Sequence, residues 1–229
     1  MKTAEFPKPV LTPLQNNIVM AKHELASRGM YETVTFSFTD SNIAKYFRRG
    51  PEAVFIQNPI INELDEMRPS LLPNLLIGAK NNIARGYGNL ALFEAAPEFF
   101  GRNPGEQRAM ASGIRVGKTA KKDWTNSMRA YDVFDVKADA LAVIAAAKGP
   151  IEAPQITTDA PSYYHPGRSG VIRLGKNVLA YFGELHPAIL KALDIKTNVM
   201  AFEVFLDNIP LPRDAKPKAK KKLELSPLQ

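Results

Sequence analysis

The chain has 229 residues, 45% of them hydrophobic, and a formal net charge of +7. That is enough apolar material for a real core in one large domain or two small ones. No run of eighteen apolar residues occurs, the opening Met1-Lys2-Thr3-Ala4-Glu5-Phe6-Pro7 has no apolar stretch, and cysteine is absent. Within this sequence the absence of cysteine excludes disulfides, thiolate catalysis and sulfur-ligated zinc, and the expectation is a chain with no membrane-spanning helix or secretory signal in a reducing cytoplasmic setting.

Residues 1–13 contain three prolines and little pattern, and read as a leading linker. Leu14, Ile18, Ala21 and Leu25 then recur at helical spacing, and Gly29 supplies the stop. A face this apolar needs cover, from its own sheet or from a partner helix. Glu32 to Phe38 alternates, with Val34, Phe36 and Phe38 on one side, which predicts a half-buried and antiparallel strand. Thr39-Asp40-Ser41 offers caps for a short helix ending near Phe47.

Ala53 to Ile56 reads as a second strand, and Leu71 to Ala84 as a helix capped by Ser70 with Pro73 in its first turn. Leu90–Glu94 and Pro97–Phe100 read as strand pieces, Asn103-Pro104-Gly105 as a turn, and Gln107–Val116 as a strand. Asp135–Ala147 forms a helix ended by Gly149-Pro150. Gly170–Leu174 and Val178–Phe182 make a hairpin around Gly175-Lys176-Asn177. Pro187–Leu193 is a short helix, and Val199–Leu206 a last strand with Met200, Phe202, Val204 and Leu206 on one face. Strands cluster without a regular βαβ alternation, so the class is α+β with a mostly antiparallel sheet. Residues 211–229 carry six basic residues against Asp214 and Glu224, a net +4 that leaves +3 for the rest. This tail reads as a basic linker, with an RNA-contacting module as the alternative.

Catalytic motifs are thin. Arg85-Gly86-Tyr87-Gly88 follows a helix instead of opening one, so it is no phosphate loop. His23, His165 and His186 lack the spacing of a zinc site, and Ser169 has no nucleophile elbow around it. Glu184 and His186, two apart on a strand, share a side and invite an acid–base reading. The structural alternative has them satisfying backbone groups where the strand ends at Pro187. His165-Pro166-Gly167-Arg168 reads as a turn, its arginine suited to a carboxylate within the fold or across an interface.

Five stretches, in order, carry a resemblance: Arg28 to Phe38; Asn58-Pro59-Ile60 with Met67 to Leu76; Leu92-Phe93-Glu94; Tyr131 to Lys137; and the His165-Pro166 and His186-Pro187 segments. Together, over about residues 14–209, they resemble the β subunit of bacterial phenylalanyl-tRNA synthetase in its C-terminal, catalytic-like core. The resemblance implies a class II aminoacyl-tRNA synthetase-like antiparallel sheet flanked by helices over 14–210. It implies a segment of a longer chain, with 211–229 leading toward an anticodon-binding domain. It also implies no catalytic, cofactor or metal residues here, ATP and Mg²⁺ serving the parent enzyme.

Its implied partners are a catalytic α subunit, in an (αβ)₂ enzyme, and tRNA through the assembly. Leu14, Ile18, Leu25, His165 and Arg168 are the expected interface residues. A working class II core grips ATP with arginines on two strands. The corresponding strands here, Leu92–Phe100 and Val199–Val204, contain none, and Glu203 would repel phosphate. A stand-alone ligase using Glu184, His186 and Arg168 is the competing catalytic reading.

Overall fold

The computed structural model describes residues 10–50, 53–119, 124, 128–149 and 154–210. Helix α1 spans Pro13–Ser27. Thr12 Oγ1 accepts from the Gln15 N–H while Gln15 Oε1 accepts from the Thr12 N–H, a reciprocal cap on two orphan donors. Gly29, at φ +76°, ends the helix in a conformation glycine adopts without strain. Thr12 and Pro13, the last residues of the expected leading linker, are thus the cap and first residue of α1; the rest of that linker to residue 9, and the basic tail 211–229, lie outside the described residues.

Strands β1 (Tyr31–Glu32) and β2 (Phe38–Thr39) follow, then α2 (Ser41–Ala44, capped by Asp40) and β3 (Glu66–Met67). The continuous strand expected over Glu32–Phe38 is not formed. After Thr33, whose N–H still donates to Phe93 O, the backbone turns to side-chain partners. Thr35 N–H donates to Glu94 Oε1, and Phe36 O accepts from Asn74 Nδ2 and Arg68 Nη1. Val34 and Phe36 consequently point out, 88% and 68% exposed. The expected strand at Ala53–Ile56 is reduced to one bridge between Phe55 and Glu66.

Helix α3 (Leu72–Ala84) has Leu71 at its N-cap, without a side-chain cap; Ser70, the expected cap, sits one residue earlier, its Oγ accepting from the Leu72 N–H. Then come β4 (Leu90–Phe99), β5 (Gln107–Val116), α4 (Val133–Ala146), β6 (Gln155–Thr157), β7 (Tyr164–Leu174), β8 (Asn177–Leu185), α5 (Pro187–Ala192) and β9 (Val199–Phe205). The two pieces expected at 90–100 are one strand. Pro97 is tolerated inside it because that stretch has a ladder only on the β5 side, and Pro97 O takes the Arg68 Nε instead. Edge strand β6 had no counterpart in the expectations.

Among the described residues, seven strands form one sheet in the order β1-β4-β5-β9-β8-β7-β6. Only β1 against β4 is parallel. A two-stranded pair, β2 with β3, stands apart. The last strand in sequence is therefore the central strand in space, and every residue of β9 is buried. On one face Met200, Phe202 and Val204 meet α1 and α4, through Ala21, Leu25, Val136, Ala140 and Val143. On the other, Val199 and Ala201 meet α3 and α5 through Leu72, Leu75, Leu76 and Ile189. No helix among the described residues is long and apolar enough to cross a membrane.

Candidate functional site: a sheet face closed from within

Strands β4 and β9, which the sequence resemblance sets against the ATP-gripping strands of a working class II core, flank β5. The register lines up Glu94, Ser112 and Glu203 across the three strands, with Glu98 opposite Arg108 four residues further along β4. All of these except Arg108 are buried. Alternation puts them on the α3 side of the sheet, opposite the face that α1 and α4 cover.

Two guanidiniums from outside those strands settle on this face. Arg49, from the turn after α2, donates through Nη1 to Glu203 Oε1 at 2.9 Å and to the Tyr163 hydroxyl at 2.9 Å. Its Nη2 pairs with Glu98 and reaches Pro69 O. Arg68, 1% exposed, donates to Glu94 Oε1 at 2.8 Å, to Thr35 Oγ1 and to Pro97 O. Glu203, expected to repel phosphate, is 0% exposed and takes donors on both oxygens. Besides Arg49 it accepts from Ser70 Oγ at 2.7 Å, Tyr163 OH at 2.7 Å and Tyr164 OH at 3.3 Å.

Positive charges are thus not missing from this face. They arrive from other segments and are already neutralised.

The electrostatics follow from enclosure. Burial pulls the Arg49 guanidinium down, but Tyr163, Glu203 and Glu98 together hold it well above its ordinary value. Burial lifts the Tyr163 and Tyr164 hydroxyls well above theirs, and the Glu203 charge adds to the lift, so both remain protonated donors. Burial also pushes the Glu98 carboxyl up, with Arg49 and Arg108 opposing. Arg108 Nε lies 2.7 Å from Glu98 Oε1 but is misaligned for a hydrogen bond, so that contact is coulombic. An adenylate needs free cationic donors and open space. The residues here do not fit one: each guanidinium is paired, and α3, Tyr163 and Tyr164 fill the space above the strands.

The segments singled out in the sequence do meet. Arg168 grips Glu184 with Nε–Oε2 2.5 Å and Nη2–Oε1 3.0 Å across a bulge between β7 and β8. The His165 and His186 rings stack with centroids 6.5 Å apart. Each histidine uses Nδ1 to accept a local backbone N–H, from Gly167 and Ala188 respectively, His186 thereby capping α5. The acid–base pairing of Glu184 with His186 is not formed: one belongs to Arg168, the other to a helix terminus. Among the described residues no group of three or more His, Asp or Glu is placed to hold a metal ion.

Of the expected interface residues, Leu25 faces inward. It is wholly enclosed by this chain's own core, and Leu14 and Ile18 turn their sides to the same cluster. Exposed apolar groups include Val19 and Met20 on the outer side of α1, and Tyr31, Val34 and Phe36 just beyond it. Alternation in 32–38 was visible in the sequence, but it marked an outward face. Arg49 was missed, since nothing local distinguishes Arg48-Arg49-Gly50 from a solvated loop.

Comparison with known proteins bears on this geometry. Two solved structures of pyrrolysyl-tRNA synthetase from Desulfitobacterium hafniense superpose with TM-scores of 0.63 and 0.65, at 17% and 14% identity. They cover 87% and 85% of this chain and 67% of theirs. The fold is that of a class II tRNA synthetase core. The family described as phenylalanyl tRNA synthetase beta chain CLM domain matches residues 1–206. Phenylalanine–tRNA ligase beta subunits from Rhodospirillum rubrum and Paramagnetospirillum magneticum are 50% and 44% identical over 98% and 100% of this chain. The chain belongs to the phenylalanyl-tRNA synthetase beta-chain family. It spans 28% and 29% of the length of those two relatives.

Proposed function

We propose that this chain is the non-catalytic core domain of a phenylalanine–tRNA ligase β subunit, supporting a catalytic α subunit in an (αβ)₂ enzyme. In that assembly the α subunit activates phenylalanine with ATP and Mg²⁺ and esterifies tRNA, in the cytoplasm. The observation that carries the reading is the closed face: Glu203, Arg49 and Arg68 are each engaged within the chain, so neither of these guanidiniums on the face is free to take a phosphate. Active-site titration of the assembled enzyme tests it. The expected stoichiometry is one phenylalanyl-adenylate per αβ pair, and two per pair would refute it.

The surface offered to the α subunit is placed at the β1 edge. That edge has a neighbour on one side only, and beyond it Val34 and Phe36 line a groove of about 410 Å³ with Leu64 and Ile77. Burying such side chains is worth roughly 1.5–3 kcal/mol each. The outer side of α1, with Val19 and Met20 exposed, and the rims of Leu14 and Ile18 continue the same proposal. His165 and Arg168 form a second, more polar candidate contact.

A further inference from the structure

The four donors on Glu203 come from three separate segments, the turn at Arg49, the start of α3 at Ser70, and Tyr163-Tyr164, while the carboxylate comes from the central strand. Each oxygen takes two donors, which fills the acceptor sites of a carboxylate. Arg49 cannot shed its proton; its Nη2 is paired with Glu98, while its Nη1 and the three hydroxyls converge on the Glu203 position and there call for an anion.

We propose that these segments form an anion receptor in their own right, and that Glu203 is its built-in ligand, standing where a free carboxylate would otherwise bind. The receptor is specific for a small monoanion with two oxygens, because two hydroxyl donors and one guanidinium nitrogen converge on one side-chain carboxylate within 2.7–2.9 Å, with Tyr164 OH at 3.3 Å. In the unaltered chain it is saturated, and added anions leave it unchanged. This claim does not depend on the subunit assignment. It concerns what holds α3 and Tyr163 on the sheet.

Glu203→Ala removes four heavy atoms, the size and charge of acetate. In the full-length protein in its native assembly, hydrogen exchange is read on the segments 68–76 and 161–166. The substitution is expected to speed exchange there. About 0.1 M acetate should restore protection, slowing exchange by about tenfold relative to chloride at equal ionic strength. Acetamide, the neutral analogue, should not. Glu203→Gln fills the space without the charge and is expected to stay unprotected in acetate. If Glu203→Ala fails to fold in chloride, recovery of folded protein in acetate and not in acetamide is the same result. Equal exchange in acetate and chloride, equal rescue by acetamide, or no folding in either would overturn the proposal.

Discussion

Arg115 Nε lies 2.6 Å from Asp139 Oδ2, and this buried pair fixes α4 to β5 on the sheet face away from Glu203. Arg28, the C-cap of α1, adds its own Nε to the other oxygen at 2.7 Å, so one carboxylate ties together two helices and a strand. Removing it strands a buried guanidinium. Asp139→Ala should cost about 3–5 kcal/mol in urea unfolding, whereas an apolar pair, Arg115→Met with Asp139→Leu, should cost much less.

The inward and outward apolar groups separate fold from association. Leu25→Ala opens a cavity in this chain's own core and should destabilise the fold by about 2–5 kcal/mol. Val34→Asp and Phe36→Asp touch exposed positions and should change stability by no more than about 0.5 kcal/mol. They should nevertheless reduce co-elution of the full-length β chain with the α subunit. Undiminished co-elution would remove the β1 edge from the docking proposal.

The start of α4 carries an acid-sensitive cap. Asp132 accepts from the Phe134 and Asp135 N–H groups, and Asp135 accepts from the Asp132 N–H. Asp132→Ala should cost about 1 kcal/mol. The hydrogen bond from Arg129 holds the Asp135 carboxyl below its ordinary range, against the effect of burial. A lowered folded-state value means that Asp135 contributes stability above the unfolded value near ~4 and loses it as pH falls through the folded one. The stability gap between the parent and Asp135→Asn should therefore be widest at neutral pH and close in acid, as read by denaturant unfolding across pH.

Gly183 sits at φ +150°, and a Cβ there would come within 2.5 Å of Ser169 Cα. The obstacle is backbone and cannot swing aside. Gly183→Ala should cost about 1–3 kcal/mol and loosen the adjoining Arg168–Glu184 pair, visible as faster amide exchange across the β7–β8 bulge.

Local order was well marked in the sequence where periodicity and caps agreed. The α1 stripe with its Gly29 stop, the β5 span Gln107–Val116 and the β7–β8 hairpin all appear as the pattern implies. The failures share a cause, which is partners far along the chain. Residues 33–37 alternate like a strand, yet their backbone groups are taken by Arg68, Asn74 and Glu94. The edge strand β6 is three residues long and has too little pattern to see. Arg49 meets Glu203 across 154 positions, a pairing no local signal carries. Glu203 was noticed for its charge, but its four donors belong to segments whose meeting depends on β9 entering the middle of the sheet.

The closed β4-β5-β9 face leaves a reaction intermediate no place to lodge on this chain. Crystals of the assembled enzyme soaked with a non-hydrolysable phenylalanyl-adenylate analogue should show it on the partner subunit alone, with Glu203 still held by Arg49, Ser70 and Tyr163. Analogue bound on the β4-β5-β9 face of this chain, with those contacts broken, would contradict it.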